Sequence, residues 1–529
     1  MLNQYKFILA VSSGTLLYLG WPPAPMAFLL LIGLVPILII HHQIKFEKNA
    51  HFKLLGWAYF AMLIFNTTCT WWVWNASPSG CIMMLVLNSL IMALPFLLFS
   101  ITHLNLPKTG YSSLVFYYIA MEYIHFNWPA SWPWMTLGKG LAVYPSFIQW
   151  YEYTGEMGGT LLILVMNVWI AKLVVDRRKK IAFLKPIGAL VVLTAFSFVV
   201  AHFAQLKLSA YKQKIECVIS QPNIDPYSEK FDDGANFISP DDQLDLGLQI
   251  AKPLFTPQTQ LLVLPETAVT GWNHEDRLNE LNILIAPRAL TDSTGLTILT
   301  GAETMSVYKE KTKPTISARY DSFSAQWWDS YNTALLIQNN KVDSIYHKSK
   351  LVPGVEKMPF QFLEKLSINL GGTSGSLGVS DKPINFIVNK DLKIAPLICY
   401  ESIFGDYAAE FVRDSANALA VITNDGWWGN SPGYQQHLLF GSIRCIETRK
   451  DMLRSANTGI SAKIDAMGQI SNATKYRERT AFKCTITPNE IHTFYVLHGN
   501  LVGPLASLVA ILFLLMTIYV KWFFRIKKY

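Results

Sequence analysis

The stretch LKIAPLICYES, residues 392–402, is an apolar run that ends in a cysteine. Its length and its aliphatic side chains are typical of a strand buried inside a sheet. Cys399 closes the run, and the polar pair Tyr400 and Glu401 follows at once. A cysteine in this place is either a buried core thiol or a nucleophile held at the end of a strand. Cys399 alone leaves both interpretations open, so the rest of the chain has to distinguish them.

Short apolar runs of the same kind recur on both sides of Cys399. They are KIECVIS (214–220), QLLVLPE (260–266), LTILTGAE (296–303), TALLIQ (333–338) and LAVITND (419–425), and we expect each to form a buried strand. Helical periodicity is present in ESIFGDYAAEFVRD (401–414) and QQHLLFGSIRCIETRKDMLRS (435–455), whereas IQNNKVDSIY (337–346) and SAKIDAMGQIS (461–471) are typical of hairpins. This region is therefore predicted to be an α/β sheet or sandwich covered by helices.

The remainder of the chain has a different composition. The protein has 529 residues, is 51% hydrophobic and has a mean hydropathy of +0.25, which is too apolar for a soluble enzyme. Long apolar segments fill residues 1–205 and return at 501–520. Residues 211–498 carry a net charge of −4. The whole chain carries +8, so the remaining segments carry a net charge of +12. The basic excess thus belongs to membrane flanks, and it gives no support to nucleic-acid binding.

Eight apolar segments are long enough to cross a bilayer as helices. We place them at residues 6–21, 25–41, 54–74, 81–101, 111–127, 158–175, 186–205 and 501–522. A cleaved signal peptide is the alternative for the first segment. We reject it because no A-x-A-like site follows, and because GWPPAP leads directly into the next apolar run.

Lysine and arginine in the short loops set the orientation of these spans. With a cytoplasmic N-terminus, the inside loops hold Lys45, Lys48, Lys53, Lys108, the DRRKK run at 176–180, Lys185 and the C-terminal tail. The opposite connections, at 21–25, 74–80 and 128–157, hold only Lys139. We therefore predict seven membrane helices in 1–205, an extracytoplasmic domain in 206–500, and an eighth helix with a basic cytoplasmic tail in 501–529. Both termini are expected in the cytoplasm.

The outward loops TWWVWNASPSG (70–80) and HFNWPASWPWMTLG (125–138) are rich in tryptophan. Tryptophans at membrane interfaces commonly act as anchors, which is one interpretation of these residues. The other is an amphipathic floor beneath the external domain. The side chains concerned are Trp71, Trp72, Trp74, Trp128, Trp132 and Trp134.

Reactive polar side chains stand at the ends of three predicted strands. Glu266 ends one strand, Lys348 and Lys350 follow a hairpin strand with Glu356 further on, and Cys399 ends the third. A carboxylate near the thiol could take its proton, a lysine ammonium could stabilise an oxyanion during acyl transfer, and a helix start after the cysteine would favour the thiolate. A helix-start carboxylate and a solvated hairpin lysine are the alternatives for Glu266 and Lys348.

The six cysteines and eleven histidines are scattered, without CxxC or HExxH spacing. We therefore expect neither a disulfide framework nor a metal site, and no cofactor.

Four motifs resemble the nitrilase superfamily, whose members use a Glu-Lys-Cys triad. They are LPET (264–267), YHKSKLVPGVE (346–356), LICYES (397–402) and the long run from ITNDGWWG to DAMG (422–468). Together with seven spans before the domain and one after it, they resemble the bacterial apolipoprotein N-acyltransferase family over essentially the whole chain. The resemblance implies an αββα sandwich for the external domain. It also implies that Glu266 is the general base, Lys348 the oxyanion stabiliser and Cys399 the nucleophile.

The implied activity is the last step of lipoprotein maturation, at the outer face of the bacterial inner membrane. A phospholipid, typically phosphatidylethanolamine, would acylate Cys399, and the α-amino group of the diacylglyceryl-cysteine of an apolipoprotein would then accept the acyl chain. The resemblance further implies supporting roles for Glu356, Tyr400 and Glu401. We expect the protein to act as a monomer.

The family resemblance also suggests substrate-binding residues in the loop NDGWWGNSP (424–432), namely Asn424, Trp427 and Trp428, with a glycine-rich structural turn as the alternative. Phe231 in QPNIDPYSEKF (221–231) stands near the place of a lid tryptophan, and Trp132 is a further candidate from the outward loops. This chain reads LVPGVEKMP where the family commonly reads LVPFGEYVP, next to Glu356. His437 is expected to begin an amphipathic helix instead of acting in catalysis.

Two other classes of protein fit parts of this pattern. A membrane-tethered amidase would use the same triad with water as the acceptor. A transporter or receptor would use the external domain only for binding, but the spans lack the paired intramembrane charges expected of a substrate path, since Glu122 and Asp176 are nearly alone.

Overall fold

A computed structural model describes residues 2–231, 234–310, 312–358 and 376–526 of the chain. The chain divides into two compact units. The first contains the residues up to His202 and those from His498 onward, and the second runs from Phe203 to Leu497. The predicted external domain covers nearly the same residues as the second unit. Its placement outside the cytoplasm stays a prediction.

The first unit is built of helices. They are α1 (Leu2–Leu19), α2 (Val35–Ile44), α3 (Ala50–Thr70), α4 (Val73–Ala76), α5 (Pro78–Asn105), α6 (Gly110–Phe126), α7 (Tyr151–Thr154), α8 (Glu156–Val175), α9 (Leu184–Leu208) and a C-terminal helix, Val502–Ile526.

Five segments of the described chain are long and apolar enough to cross a membrane. They are Ala27–Ile44, Pro78–Asn105, Glu156–Val175, Lys180–Leu208 and Val502–Phe523. The three other predicted spans, 6–21, 54–74 and 111–127, fall on α1, α3 and α6. The total of eight spans and their orientation stay predictions.

Buried polar contacts join helices within this unit. The side-chain amide of Asn88 on α5 donates to the side-chain oxygen of Asn66 on α3 over 2.6 Å. The hydroxyl of Thr160 on α8 donates to the carboxylate of Glu122 on α6 over 2.7 Å. Because polar groups in apolar surroundings need partners, these contacts fix which helix faces meet.

The tryptophans of the outward loops have different environments. Trp72 and Trp134 are fully buried, and their ring centroids lie 5.0 Å apart. Trp132 stacks on Trp134 at 5.7 Å, whereas Trp71 and Trp74 are exposed. The tryptophans of the predicted amphipathic floor therefore differ in exposure. Trp72 and Trp134 are core side chains, whereas the exposed Trp71 and Trp74 suit interfacial anchoring.

The second unit contains the strands of the described chain. They are β1 (Ile215–Gln221), β2 (Thr259–Val263), β3 (Val269–His274), β4 (Thr297–Tyr308), β5 (Arg319–Asp321), β6 (Gln326–Gln338), β7 (Lys341–His347), β8 (Phe386–Ile387), β9 (Lys393–Ile398), β10 (Ala418–Thr423), β11 (Met452–Ala456), β12 (Ala462–Ile464), β13 (Ile470–Ser471) and β14 (Thr480–Ile486).

These strands form two sheets that pack against each other. The first has the order β14-β1-β2-β4-β6-β5, with β3 paired to β4 and β7 to β6, and the second has the order β13-β12-β11-β10-β9-β8. The Ser455 hydroxyl of β11 donates to the Ser220 carbonyl of β1 across the interface, over 2.8 Å.

Helices α10 (Pro240–Ala251) and α11 (Ile285–Thr294) cover the first sheet, while α12 (Gly405–Arg413) and α13 (Pro432–Thr448) cover the second. A short helix, α14 (Phe494–His498), follows β14. The layer order is αββα, so the predicted α/β sandwich is confirmed. Leu244 and Leu248 of α10 pack with Ile298 and Leu335 of the first sheet in a buried hydrophobic core.

The predicted hairpins are confirmed. Asn339 and Asn340 join β6 to β7 with φ of 50° and 61°, the left-handed conformation that a tight two-residue hairpin turn requires. Strands β12 and β13 form the second hairpin. The β6–β7 register places Thr333 opposite His347, and the Lys348 backbone N–H donates to the Asn332 carbonyl over 2.8 Å. The turn thus determines where Lys348 leaves the sheet.

Strand pairing also positions the segments that carry Cys399 and Glu266. Strands β9 and β10 run parallel with Ile398 opposite Ile422, so Cys399 emerges beside the end of β10. Beyond β2, the Gly301 N–H of β4 donates to the Pro265 carbonyl over 3.0 Å. That bond holds the residue before Glu266 against the first sheet.

Gly301→Ala is expected to lower the free energy of unfolding by about 2 kcal/mol through overpacking. A Cβ at position 301 would lie 2.5 Å from the Thr267 nitrogen and 2.6 Å from the Glu266 Cα, and backbone atoms cannot move aside as flexible side chains can. Thermal unfolding of the purified protein in detergent measures the change. Gly247→Ala is the matched control, because its Cβ would lie 3.4 Å from Leu264, an ordinary contact. Equal stability of both variants would contradict the expectation.

Candidate active site

Cys399 follows β9 and opens a 3-10 turn, Cys399–Ile403. Its φ of 49° is unusual for a residue with a side chain, and it is 8% exposed. The Cys399 carbonyl accepts the Ser402 hydroxyl over 2.7 Å and lies 3.2 Å from His437 Nε2. These contacts fix the direction in which the thiol leaves the strand.

The expected stabilisation of a thiolate by a following helix is not what the structure shows. A single 3-10 turn follows Cys399, and burial raises the pKa of the Cys399 thiol above its ordinary value. The charge of Glu266 raises that pKa further, and the charge of Lys348 lowers it. The resting group is therefore a thiol, and a base would be needed to turn it into a nucleophile.

Glu266 is buried, with both carboxylate oxygens occupied. Oε1 accepts the Asn332 side-chain amide over 2.7 Å and the Lys348 ammonium over 3.3 Å. Oε2 accepts the backbone N–H of Asn424 over 2.9 Å. Donors on three separate elements therefore orient this carboxylate.

Lys348 lies between two carboxylates, with its side chain 1% exposed. Its ammonium donates to Glu356 Oε1 over 2.7 Å as well as to Glu266. Burial alone lowers the pKa of Lys348, but the charges of Glu356 and Glu266 raise it more, so the pKa lies above its ordinary value. Lys348 is consequently a permanent cation in this site.

Lys350 lies elsewhere. Its ammonium is 5.0 Å from the ring centroid of Tyr407 and 5.8 Å from that of Phe404, a pair of cation–π contacts. Of the two lysines that follow the hairpin strand, the structure thus brings Lys348, and not Lys350, to Glu266.

Glu401 is fully buried and links the segment after Lys348 to the end of β9. Its Oε1 accepts the Tyr346 hydroxyl over 2.6 Å and the Ser349 N–H over 2.7 Å, and its Oε2 accepts the Ile398 N–H over 2.8 Å. Burial raises the pKa of Glu401 to about 7, while these donors lower it. Glu401 therefore braces the residues that follow Lys348 and precede Cys399. Tyr400 is buried beside it, with its ring 5.3 Å from that of Phe404.

The loop after β10 carries three of the predicted substrate-binding residues. The Asn424 side chain accepts the Gly426 N–H over 3.3 Å, so its backbone serves Glu266 while its side chain shapes the loop. Trp427 is half-buried and stacks on Phe231 with centroids 6.1 Å apart. Trp428 packs edge-on against His437 at 5.6 Å. Trp132 belongs to the first unit.

Two site residues escaped the sequence prediction. Asn332 lies one residue before the predicted strand TALLIQ, and it donates to both Glu266 and Glu356. His437 lies inside α13, as expected, but its Nδ1 is 3.0 Å from the Asp425 carboxylate and its Nε2 faces the Cys399 carbonyl. Burial lowers the pKa of His437, which favours its neutral form. The only sequence signal for these two residues was that each is a polar residue next to an apolar run.

Glu401→Gln is expected to lower the free energy of unfolding by about 2–3 kcal/mol, because an amide N–H₂ would replace an acceptor oxygen and face a backbone N–H. Thermal unfolding in detergent measures the effect. Glu410→Gln, on the exposed face of α12, is the matched control and should leave stability within about 0.5 kcal/mol. Indistinguishable stabilities for the two variants would show that Glu401 is not a brace.

Known proteins resemble both parts of the chain. Residues 204–494 match the carbon-nitrogen hydrolase family, and residues 13–169 match the apolipoprotein N-acyltransferase N-terminal domain. The apolipoprotein N-acyltransferase of Chlorobaculum tepidum is 28% identical over 519 residues, covering 94% of this chain and 93% of the relative. That of Thermotoga maritima is 26% identical over 526 residues, covering 96% and 92%.

Among solved structures, a CN-hydrolase superfamily protein from Xanthomonas campestris is 16% identical, with a TM-score of 0.35, covering 52% of this chain and 91% of that protein. In the described part of the chain, no group of three or more His, Cys, Asp or Glu side chains is placed to hold a metal ion. The matched regions confirm the resemblance found in the sequence. The chain belongs to the carbon-nitrogen hydrolase (nitrilase) superfamily, in its membrane-embedded apolipoprotein N-acyltransferase branch.

Proposed function

We propose that this protein transfers an acyl chain from a phospholipid to the N-terminal diacylglyceryl-cysteine of lipoproteins, through a thioester on Cys399. The observation that carries this proposal is the buried contact of Glu266 with Lys348 beside the Cys399 thiol. The match to the apolipoprotein N-acyltransferase N-terminal domain supports a lipid substrate, because an apolar helical unit suits an enzyme that handles two- and three-chain lipids.

In the first half-reaction, Glu266 takes the proton of the Cys399 thiol as the sulfur attacks the ester carbonyl of the phospholipid. The Lys348 ammonium stabilises the oxyanion of the tetrahedral intermediate. When the intermediate collapses, its C–O bond breaks and Glu266 returns the proton to the departing oxygen. A lysophospholipid leaves, and a thioester remains on Cys399.

In the second half-reaction, the free α-amino group of the lipoprotein attacks the thioester. Glu266 accepts a proton from the attacking nitrogen, and Lys348 again stabilises the oxyanion. The C–S bond then breaks, an amide forms, and the proton on Glu266 returns to the sulfur. Glu356 supports both steps because it holds the Lys348 ammonium over 2.7 Å.

The proposed donor is of the phosphatidylethanolamine class, and the proposed setting is the outer face of the bacterial inner membrane. There the reaction would be the last step of lipoprotein maturation. The orientation of the basic loops supports this setting, with residues 206–500 outside and both termini inside. Asn424, Trp427, Trp428 and Phe231 are proposed to border the lipid. The first three form the loop whose Asn424 N–H holds Glu266, and Phe231 stacks on Trp427. The monomeric state is part of the same proposal.

Incubation of the purified enzyme with phosphatidylethanolamine should give lysophospholipid and a Cys399 peptide heavier by one acyl chain in mass spectrometry. Cys399→Ala should give neither product, because the nucleophile is lost. Cys445→Ser is the matched control, since Cys445 is a buried thiol of α13 outside the site, and it should keep both products. A diacylglyceryl-cysteine peptide added next should become amide-acylated. Hydrolysis of a small amide without any lipid adduct would instead indicate a membrane-tethered amidase.

Glu266→Gln and Lys348→Met are each expected to slow formation of the acyl-enzyme by at least about 100-fold, since one removes the base and the other the oxyanion partner. The measurement is the rate of lysophospholipid release in the first turnover. Lys350→Met is the matched control and should stay within about threefold of the wild type, because Lys350 contacts aromatic rings and not Glu266. A crippling effect of Lys350→Met alone would reverse the assignment of the lysine.

A further inference from the structure

The residue directly after Glu266 has a strained backbone. Thr267 has a φ of 49°, in the left-handed region that β-branched residues rarely adopt. Such a conformation persists only where the surroundings hold it in place. Part of that support comes from β4, where the absence of a Cβ on Gly301 lets the two backbones approach closely.

A buried lysine provides the second support. The Lys230 ammonium donates to the Thr267 carbonyl over 2.8 Å and to the Thr267 hydroxyl over 2.7 Å. Lys230 is only 3% exposed. Its own carbonyl accepts the side-chain amide of Gln243, on α10, over 2.8 Å. A continuous chain of contacts therefore runs from α10 through Lys230 to the turn that carries Glu266.

The surroundings of the Lys230 ammonium explain why a lysine occupies this position. Burial lowers the pKa of Lys230 to about 8, and the carboxylates of Glu303 and Glu266 act against that change. Lys230, Glu266 and Thr267 line one small cavity together with Gln243. Lysine thus reaches Thr267 from a distant segment and lies near the carboxylate of Glu266 as a second cation.

We propose that Lys230 is a positioning residue for Glu266, which it orients by holding Thr267 in its left-handed conformation. This inference rests on the proposed role of Glu266 as the general base. The segment that carries Lys230 also carries Tyr227, whose hydroxyl donates to the Trp427 carbonyl over 2.8 Å, and Phe231, which stacks on Trp427. Orientation of the base is therefore linked to the aromatic contacts beside it.

A double-mutant cycle between Lys230 and Thr267 tests the proposal. Lys230→Met should slow formation of the acyl-enzyme by about 100-fold, as expected for a misplacement of the base by about 1 Å. Glycine adopts a positive φ without strain. In the Thr267→Gly background, the same Lys230→Met change should therefore cost less than about threefold. A residue needed merely for folding would cost the same in both backgrounds.

The readout is the labelling rate of Cys399 by iodoacetamide, measured by peptide mass spectrometry beside the lipid reaction. Labelling reports activation of the thiol by Glu266 without any lipid. Failure of the wild type to form a lipid adduct would therefore count against the proposed function and not against the role of Lys230. Lys390→Met, on an exposed lysine, is the control and should label like the wild type.

A Lys230→Met protein that labels at the wild-type rate would overturn the proposal, and so would an equal cost of that change in both backgrounds. If Lys230→Met does not fold, Lys230→Gln takes its place in the cycle. Glutamine can keep one donor for the Thr267 carbonyl, so its cost should be smaller but should again disappear in the Thr267→Gly background.

Discussion

The site depends on one buried cation, the ammonium of Lys348 between the carboxylates of Glu266 and Glu356. Removing a lysine charge from water is costly, and the cost is recovered only with good geometry and hydrogen-bonded partners. Here the β6–β7 hairpin sets the position of Lys348, and Asn332 of β6 donates to both carboxylates. Displacement of any one of these elements would leave a buried charge without its partner. The register of the first sheet therefore determines whether Lys348 reaches both carboxylates.

The second constraint is backbone strain on either side of that cation. Cys399 and Thr267 both have a φ of 49°, and hydrogen bonds hold each of them. The Cys399 carbonyl is held by Ser402 and faces His437, and the Thr267 carbonyl accepts the Lys230 ammonium. Strained conformations of this kind persist where the rest of the fold determines them. The backbone is thus fixed at Cys399 and directly after Glu266, the residues proposed as nucleophile and base.

Much of this arrangement could be predicted from the sequence, and the remainder has identifiable physical reasons. Apolar runs and turn residues predicted the strands and hairpins, since both signals are local. Glu266, Lys348 and Cys399 were predicted as site residues because each stands at the end of a predicted strand, and the structure places the Lys348 ammonium 3.3 Å from Glu266. Lys230 and Asn332 were not found, because their partners are distant in the chain and only tertiary structure brings them together. The expected helix start directly after Cys399 failed as well, since a 3-10 turn, Cys399–Ile403, comes first and α12 begins only at Gly405. Within that turn Glu401 faces inward and accepts the Ile398 N–H.

That failure changes how activation of the sulfur should be understood. A thiolate stabilised in advance would place a negative charge beside the carboxylate of Glu266, and both burial and that carboxylate raise the pKa of Cys399. If Glu266 takes the proton, the negative charge moves from the carboxylate to the sulfur, and the total charge around Lys348 stays the same. No new charge has to be created in a buried site, where such a step is most costly. A thiol with a raised pKa is then compatible with catalysis, provided that the base is held at the right place. In the proposed mechanism, the orientation of Glu266, and not the acidity of Cys399, is the property on which the rate depends.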